Sequence, residues 1–329
     1  MFKVVIGLDI SKSWIDATLA FRFESDTEYV RVPNAPKGFQ QLIKMVERRK
    51  LSQDELVFCL EHTGHYTYKL CAFLAEKGWT YSLINPLQIK RSMGIVRGKS
   101  DKADSKVIAE YGLRFGEKLR LNNSLSPELL GLRLLLTHRQ SLLEQRKALK
   151  IQLNGLRDIR NMANVQLVIT DLTGQLRQIN SRLKRWEDQL HSYVKEHSEI
   201  YQTLMLLMSV PGIGRIIALN MIVYTHNFQR FDQARNFSCY CGVAPFKHQS
   251  GSSIRGRNRV SHYANKSMKS LIHMGALSAV KSDPVLRQYY QGKVEQGKNK
   301  MCVLNAVRNK LIHRCFAVIR QQSPYEVRA

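Results

Sequence analysis

Residues 3–9 read Lys3-Val4-Val5-Ile6-Gly7-Leu8-Asp9, a short β-branched run that predicts a strand. Two further strands are predicted at residues 14–20 and 28–32, and only a few residues separate each strand from the next, which is typical of an antiparallel meander. The segments that follow alternate between helix and strand, at residues 36–49, 56–60, 66–77 and 80–84. The order βββαβαβ, followed by another helix, predicts an RNase H-like α/β domain with a central mixed sheet over residues 1–120.

The chain is long and strongly basic. Its 329 residues exceed the usual length of one domain, about 150 residues, by a factor of two, so we expect two or three domains. The 51 Lys and Arg against 26 Asp and Glu give a net charge of +25, which indicates a polyanionic partner, with nucleic acid first and an anionic membrane surface as the rival. The longest apolar stretches fall short of the roughly 20 residues of a spanning helix, and Asp9 interrupts the first apolar run too early for a signal peptide. We therefore expect a cytoplasmic protein that does not enter a membrane and is nucleoid-associated when bound.

The middle segment, residues 121–205, has the period of a coiled coil. Apolar residues recur at alternating steps of four and three, with one polar interruption at His197, and an upstream set recurs every seven: Leu172, Leu176, Ile179, Leu183, Trp186, Leu190, Tyr193, Ile200 and Leu204, and Leu135, Leu142, Leu149 and Leu156. The pattern predicts two long helices that break within residues 161–168. They form either a hairpin arm or a contact with another protomer, and the length of the arm favours a homodimer or homotetramer.

The last segment, residues 206–329, carries the strongest charge. Residues 245–329 contain 16 Lys and Arg against three acids. The chain closes with a predicted amphipathic helix over residues 301–320, which has Val303, Leu304 and Val307 on one side and basic residues on the other. We expect a mostly helical domain with a basic surface.

Four carboxylates form the first candidate site. Asp9 and Glu61 each end a predicted strand, and Asp101 and Asp104 are three apart on one face of a helix. Four converging carboxylates repel one another unless a divalent cation neutralises them, and hard oxygen ligands select Mg²⁺ or Mn²⁺. The pattern is compatible with a two-metal phosphoryl-transfer site. The plain alternative for Asp101 is that it caps a helix.

A glycine turn is the second candidate. Val210-Pro211-Gly212-Ile213-Gly214 precedes Arg215 and an apolar helix, as in a helix-hairpin-helix turn whose backbone N–H groups approach a phosphate. Gly212, Gly214 and Arg215 are therefore candidate nucleic-acid contacts. A plain tight turn between two helices explains the same residues nearly as well.

A serine-rich loop is the third candidate. It runs from Gly242 to Arg259 and places Ser250-Gly251-Ser252-Ser253 before three arginines at alternate positions. A serine beside glycine in this loop is a candidate nucleophile, with the arginine guanidiniums holding the phosphate. The alternative is a flexible loop that binds phosphate without covalent chemistry. The basic residues predicted to contact nucleic acid in this region are Lys247, Arg255, Arg257, Arg259, Lys266 and Lys269.

Several motifs resemble the transposases of the bridge-RNA-guided insertion-sequence family, the Asp-Glu-Asp-Asp recombinases that include the Piv-type DNA invertase. The matching motifs follow the family's order and spacing over nearly the whole chain: Gly7-Leu8-Asp9-Ile10-Ser11-Lys12, Glu61-His62-Thr63-Gly64-His65-Tyr66, Ile84-Asn85-Pro86, Lys99-Ser100-Asp101-Lys102-Ala103-Asp104-Ser105, Val210-Pro211-Gly212-Ile213-Gly214, and Gly242-Val243-Ala244-Pro245 with Ser250-Gly251-Ser252-Ser253. Where the family often has Glu-Ala-Thr-Gly, this chain has Glu61-His62-Thr63-Gly64, which keeps the carboxylate.

The resemblance implies a RuvC-like domain, a coiled-coil segment and a C-terminal transposase domain. It implies that Asp9, Glu61, Asp101 and Asp104 bind Mg²⁺ and that Ser250 is the nucleophile, with the metal site of one protomer acting beside the serine of another. It further implies donor and target DNA as substrates and a bridge RNA as guide. The alternatives are a RuvC-like nuclease that hydrolyses DNA with water, and a non-catalytic nucleic-acid-binding protein.

Overall fold

The computed structural model describes residues 2–23, 26–62, 64–92, 100–122, 124–250, 254–260 and 263–326. Its contacts divide the chain into two compact units, Met1–Ser124 and Leu125–Ala329. The division into three segments, with boundaries near residues 120 and 205, stays a prediction.

The first unit is a five-stranded mixed sheet with helices on both faces. Its strands are β1 (Val4–Ile10), β2 (Trp14–Phe21), β3 (Thr27–Pro33), β4 (Leu56–Glu61) and β5 (Tyr81–Ile84). Its helices are α1 (Pro36–Arg48), α2 (Tyr68–Glu76), α3 (Pro86–Ser92) and α4 (Asp101–Arg114). The strand order is β3-β2-β1-β4-β5. The first three strands pair antiparallel, and β4 and β5 extend the sheet in parallel, which confirms the predicted meander and mixed sheet.

Alternation along the strands builds a separate core on each face of this sheet. In β2, Ile15, Ala17 and Leu19 belong to a core shared with α1 and α2. Ala20, with Val5 and Val57 of the neighbouring strands, belongs to a second core closed by α4. Because side chains of a strand alternate between faces, the polar Asp16 and Thr18 fall on the α4 face. These two polar side chains of β2 therefore lie under α4.

The second unit is mostly helical. Its helices are α5 (Pro127–Gly155), α6 (Val165–Glu196), α7 (Ser198–Met208), α8 (Arg215–Thr225), α9 (Ala234–Tyr240), α10 (Lys266–Ser282), α11 (Pro284–Glu295) and α12 (Lys300–Gln321). A two-stranded hairpin, β6 (Phe246–Ser250) with β7 (Ile254–Arg259), interrupts them. None of the helices in the described ranges is both long and apolar enough to cross a membrane.

Helices α5 and α6 pack against each other within the chain and form an arm. Leu142, Ile179 and Leu183 are buried between them. The Trp186 indole Nε1–H donates to the Leu135 carbonyl over 3.0 Å, and Arg139 pairs with Glu187 at 2.7 Å. The middle of the apolar seam is thus buried in a hairpin, whereas Leu172 and Leu176 are only partly buried. Helix α5 ends at Gly155, earlier than the predicted break, and assembly through these helices stays a prediction.

Helix α6, which carries the seam residues from Leu172 to Tyr193, ends before His197. This residue has extended backbone angles, φ −112° and ψ 90°, and α7 begins at Ser198. Its ring Nδ1–H donates to the Tyr193 carbonyl over 2.7 Å, which gives an unpaired carbonyl at the end of α6 a partner. The expected polar interruption is therefore the end of a helix.

The core of the second unit surrounds α12. This helix packs against α7, α9, α10 and α11, and Val307, Leu311 and Cys315 are fully buried. The base of the arm joins the same core through Leu132 and Leu190. The closing helix was expected to bury one apolar stripe, and its buried surface also includes the basic residue Arg308.

Candidate active site

The parallel pairing of β1 with β4 brings two candidate carboxylates to one sheet edge. The last residue pair between these strands is Leu8 with Leu60, so Asp9 and Glu61 follow directly on adjacent strands. Residues that follow a pair in parallel register share a face, and here it is the face covered by α4. Both side chains are half-buried.

A close contact between α4 and β1 fixes the other two carboxylates. A Cβ atom on Gly7 would lie 2.2 Å from the Ser105 carbonyl oxygen and 2.3 Å from the Ala109 nitrogen, so the helix backbone rests directly on the strand at this glycine. Ser105 and Thr18 also share a buried hydrogen bond of 2.7 Å between their hydroxyls. The first turn of α4, which carries Asp101 and Asp104, is therefore held toward the end of β1.

The backbone at the start of α4 is capped by a residue other than Asp101. The Ser100 hydroxyl accepts a hydrogen bond from the Ala103 N–H at 3.2 Å. The plain interpretation of Asp101 as the helix cap is therefore wrong, and its carboxylate serves another contact.

The electrostatics of Asp9 show that these carboxylates act on one another. Burial raises the pKa of Asp9 most, and the charges of Asp104, Glu61, Asp101 and Asp16 each raise it further, to about 6 from an ordinary value of 3.8. Burial disfavours the charged form, and the four neighbours act in the same direction because each of them is acidic. The edge of the sheet thus carries excess negative charge around Asp9.

Sequence reasoning missed a polar network beside this edge. Asp16 lies directly opposite Asp9 in the β1–β2 pairing and is only 2% exposed. It accepts a hydrogen bond from the Tyr29 hydroxyl and pairs with Arg31 at 3.7 Å. The Arg31 guanidinium also donates to Asp101 over 3.3 Å. Arg31 therefore bridges a buried carboxylate of the sheet and an exposed carboxylate of α4.

The four predicted carboxylates are gathered at this edge without surrounding one point. Within the described ranges, no three acidic, histidine or cysteine side chains meet at the spacing of ligands around a single ion. Asp101 pairs with Arg31 at 3.3 Å, and Glu61, Asp101 and Asp104 all lie close enough to Asp9 to raise its pKa.

Replacing Gly7 tests the contact that aligns α4. We expect Gly7→Ala to destabilise the first unit by about 3 kcal/mol, because the added methyl meets backbone atoms that cannot rotate away. Gly174→Ala in α6 is the control, since its Cβ would have no neighbour within 4 Å and helix propensity should stabilise it by about 1 kcal/mol. Urea unfolding followed by circular dichroism measures both. An unchanged midpoint for Gly7→Ala would contradict the close approach.

Replacing Asp9 tests the excess negative charge. In the folded protein the pKa of Asp9 is about 6, above its unfolded value of 3.8, so Asp9 favours folding below pH 4 and this benefit is lost as the pH rises through 6. We therefore expect Asp9→Asn to raise the melting temperature at pH 7.5 in EDTA, with no gain at pH 4. Glu55→Gln is the control with the opposite expected effect on the melting temperature. Hydrogen bonds from Lys3 and Ser52 lower the pKa of Glu55, so its charged form favours folding at pH 7.5. A lower melting temperature for Asp9→Asn at pH 7.5 would contradict this electrostatic account.

The candidate nucleophile lies at the end of a strand. Ser250 is the last residue of β6 and pairs with Ile254, the first residue of β7, while Gln249 pairs with Arg255 and Phe246 with Arg259. Residues 251–253, which include the alternative serines Ser252 and Ser253, lie outside the described residues. The structure thus places Ser250 and the three candidate arginines on one hairpin, with the serine at the end of β6. The candidate contact Lys247 lies on β6 of the same hairpin.

The glycine turn has a structural role at Gly212. Gly212 has φ +88°, and a Cβ there would lie 2.5 Å from the Gly275 carbonyl oxygen of α10. The close packing of this turn on α10 explains Gly212 without a phosphate. Gly214 and Arg215 are exposed at the start of α8, and Lys266 and Lys269 lie on the first turn of α10. These four residues stay candidate contacts.

Comparisons with known proteins agree with both units. A family model described as the IS116/IS110/IS902 transposase family matches residues 204–291, and a DEDD transposase model of the IS110 group matches residues 6–159. The pilin gene-inverting protein of Moraxella bovis is 27% identical over 336 aligned residues, which cover 100% of this chain and 99% of that protein. The transposase of insertion sequence element IS1111A from Coxiella burnetii is 23% identical over 275 residues, covering 74% of this chain and 72% of that protein.

These matches, together with the acidic edge of the sheet, define the chain as a transposase. It belongs to the IS110/IS116 family of insertion-sequence transposases.

Proposed function

We propose that this protein cuts DNA strands and rejoins them to new partners by serine attack that depends on a divalent metal. The observation that carries the proposal is that Glu61, Asp101 and Asp104 lie near Asp9 at one sheet edge. Their charges raise the pKa of Asp9. The names of the relatives, a gene-inverting protein and a transposase, support strand exchange as the outcome. A RuvC-like role for the first unit is part of this proposal.

The donor chemistry of the acidic residues suits a hard divalent cation, although the described side chains are not spaced around a single ion. Their carboxylate oxygens are the ligands that Mg²⁺ and Mn²⁺ prefer, and the charge that raises the pKa of Asp9 is the charge that such an ion would neutralise. Asp9, Glu61 and Asp104 would hold it, and Asp101 would join them on leaving Arg31. A bound Mg²⁺ would supply stabilisation of the negative charge that develops on the attacked phosphate.

Ser250 is proposed as the nucleophile. Its hydroxyl oxygen forms a bond to phosphorus while the bond from phosphorus to the 3′ oxygen breaks, the serine proton is lost, and the leaving 3′ oxygen is protonated. The product is a 5′-phosphoserine link, which conserves the phosphodiester energy, so rejoining needs no ATP. Arg255, Arg257 and Arg259 lie on the paired strand and are proposed to bind the non-bridging oxygens.

Nucleic-acid partners and assembly belong to the same proposal. The excess of basic residues in 245–329 supports a polyanionic partner, and we propose donor DNA, target DNA and a guide RNA that pairs with both. Assembly into a homodimer or homotetramer would let the carboxylates of one protomer act beside Ser250 of another.

The proposed function is tested with the purified ribonucleoprotein. The protein is expressed together with the non-coding DNA that flanks its gene, copurifying RNA is sequenced, and the complex is incubated with donor and target DNA in Mg²⁺ or in EDTA. We expect joined DNA products in Mg²⁺ and bound but uncut DNA in EDTA. Cut products without joining, and without protein attached to DNA, would instead identify a hydrolytic nuclease. Binding with no cleavage in either buffer would identify a non-catalytic binding protein.

A further inference from the structure

Helix α12 buries a positively charged side chain. Arg308 is only 5% exposed, although most of the basic residues in this part of the chain lie at the surface. Burial lowers the pKa of its guanidinium, and no acidic neighbour contributes to that shift. None of the ion pairs among the described residues involves Arg308. A buried guanidinium without a counter-charge is unfavourable, so this position indicates an anion that binds from outside.

Two neutral side chains contact the guanidinium. One terminal N–H group donates to His273 Nδ1 over 2.7 Å, and the other donates to Asn305 Oδ1 over 3.3 Å. Its Nε–H is buried and has no hydrogen-bond partner. By contrast, Arg314, also on α12, pairs with the buried Asp283. The charge of Arg314 is therefore balanced within the fold, and that of Arg308 is not.

The contact with Arg308 fixes the protonation of His273. A guanidinium has only donors, so Nδ1 must accept, and the single proton of a neutral imidazole is then on Nε2. Burial and Arg308 both lower the pKa of His273, which keeps the ring neutral. His273 is half-buried, and it lies four residues after Lys269 and seven after Lys266, on the same face of α10. This face thus presents two ammonium groups and a fixed N–H donor.

Asn305 links this cluster to the serine hairpin. Its side-chain amide donates to the Val243 carbonyl over 2.7 Å, and Val243 lies three residues before β6. Because Arg308 holds the amide oxygen, the amide nitrogen is oriented toward Val243. The buried charge is therefore connected to the base of the strand that ends at Ser250.

We propose that His273, with Arg308 behind it, binds a backbone phosphate of nucleic acid at the base of the serine hairpin. The inference rests on the proposed function, which supplies the anion. His273 Nε2–H and Lys269 contact the phosphate oxygens, and Arg308 supplies charge from behind the imidazole. Low local dielectric strengthens that attraction, because little water screens the guanidinium.

The salt dependence of DNA binding measures this charge. Each phosphate neutralised by the protein adds about 0.9 to the slope of log K against log salt. We expect Arg308→Met to reduce the magnitude of the slope by about one and to weaken binding to duplex DNA roughly tenfold at low salt. Arg308→Lys keeps the charge and should keep the slope. Arg314→Met is the matched control from the same helix, and its slope should equal that of the parent because Asp283 already balances Arg314.

Substitutions of His273 keep the test decisive if Arg308→Met does not fold. Asn at position 273 offers an acceptor near Nδ1 but no distal donor, whereas Gln offers an N–H group near Nε2. We expect His273→Asn to weaken DNA binding about tenfold, as for a hydrogen bond to a charged group, and His273→Gln to stay within about threefold. A parent with a steep slope and an Arg308→Met variant with the same slope would overturn the inference, as would equal binding by both His273 variants. A parent without salt-dependent binding would instead overturn the proposed function.

Discussion

Ser250→Ala is expected to remove all strand transfer and all covalent attachment to DNA. Loss of a catalytic nucleophile lowers the rate by about 10⁴-fold or more, because no neighbouring group replaces the lost bond-forming atom. Binding of DNA and RNA should change little, since one hydroxyl contributes little to an interface dominated by phosphate contacts. Single-turnover assays with radiolabelled DNA, paired with a filter-binding assay, separate these two effects.

Two neighbouring serines provide the controls for Ser250→Ala. Ser252→Ala and Ser253→Ala remove hydroxyls from the same segment, and we expect each to retain strand transfer within about tenfold of the parent, as for loss of a neutral hydrogen bond. The assignment of the nucleophile is wrong if Ser250→Ala keeps forming a covalent adduct while either control loses it.

The acidic residues should be as indispensable as the serine. Replacing Asp9, Glu61, Asp101 or Asp104 by the corresponding amide keeps the shape of the side chain and removes its charge. We expect each variant to lose at least about 10³-fold in strand transfer in Mg²⁺, because charge stabilisation at the phosphate is lost. Glu110→Gln is the control on α4, since the ion pair that Glu110 makes among the described residues is with the exposed Arg114.

A second measurement separates a metal site from a structural cluster. Titration with Mn²⁺ in the absence of DNA should show binding to the parent and to Glu110→Gln, and weaker binding to Glu61→Gln and Asp104→Asn. A double variant, Asp101→Asn with Asp104→Asn, that still recombines DNA in Mg²⁺ would contradict the assignment of these carboxylates.

The fold of the first unit could be predicted because local pattern and strand register agree. The β-branched runs specify β1 and β2, and the short hairpin between them pairs Ile10 with Ile15. The parallel crossover to β4 then brings Glu61 beside Asp9, as the ends of the predicted strands indicated. The close approach of α4 to Gly7 depends on backbone atoms of two segments that are distant in sequence. The hydrophobic periodicity of the sequence does not predict this contact.

The position of Asp16 beside Asp9 follows from the register of the β1–β2 hairpin. The same hairpin register that pairs Ile10 with Ile15 places Asp16 opposite Asp9, and strand alternation puts it with Thr18 rather than with Ile15. Its partners Tyr29 and Arg31 come from β3. Their contact with Asp16 requires the β2–β3 register, which the sequence pattern alone does not specify.

The burial of Arg308 could be predicted only in part from the pattern of its own helix. Arg308 lies four residues after Leu304 and three before Leu311, which puts it at the border of the predicted apolar stripe. In the structure four helices surround α12, so its buried surface is wider than the stripe and includes the guanidinium. Burial here depends on the number of neighbouring helices, a property of the tertiary fold.

The proposed mechanism requires a covalent bond between a serine of this protein and a DNA strand. This bond forms only when the acidic residues hold a divalent metal. Mapping the protein–DNA adduct by peptide mass spectrometry tests it most directly, using donor DNA that is nicked so that the attached strand cannot be rejoined. We expect a 5′-phosphoserine at Ser250 in Mg²⁺ and no adduct in EDTA or with Asp104→Asn. Strand cleavage in Mg²⁺ with no adduct at any serine would contradict it and would identify water as the nucleophile.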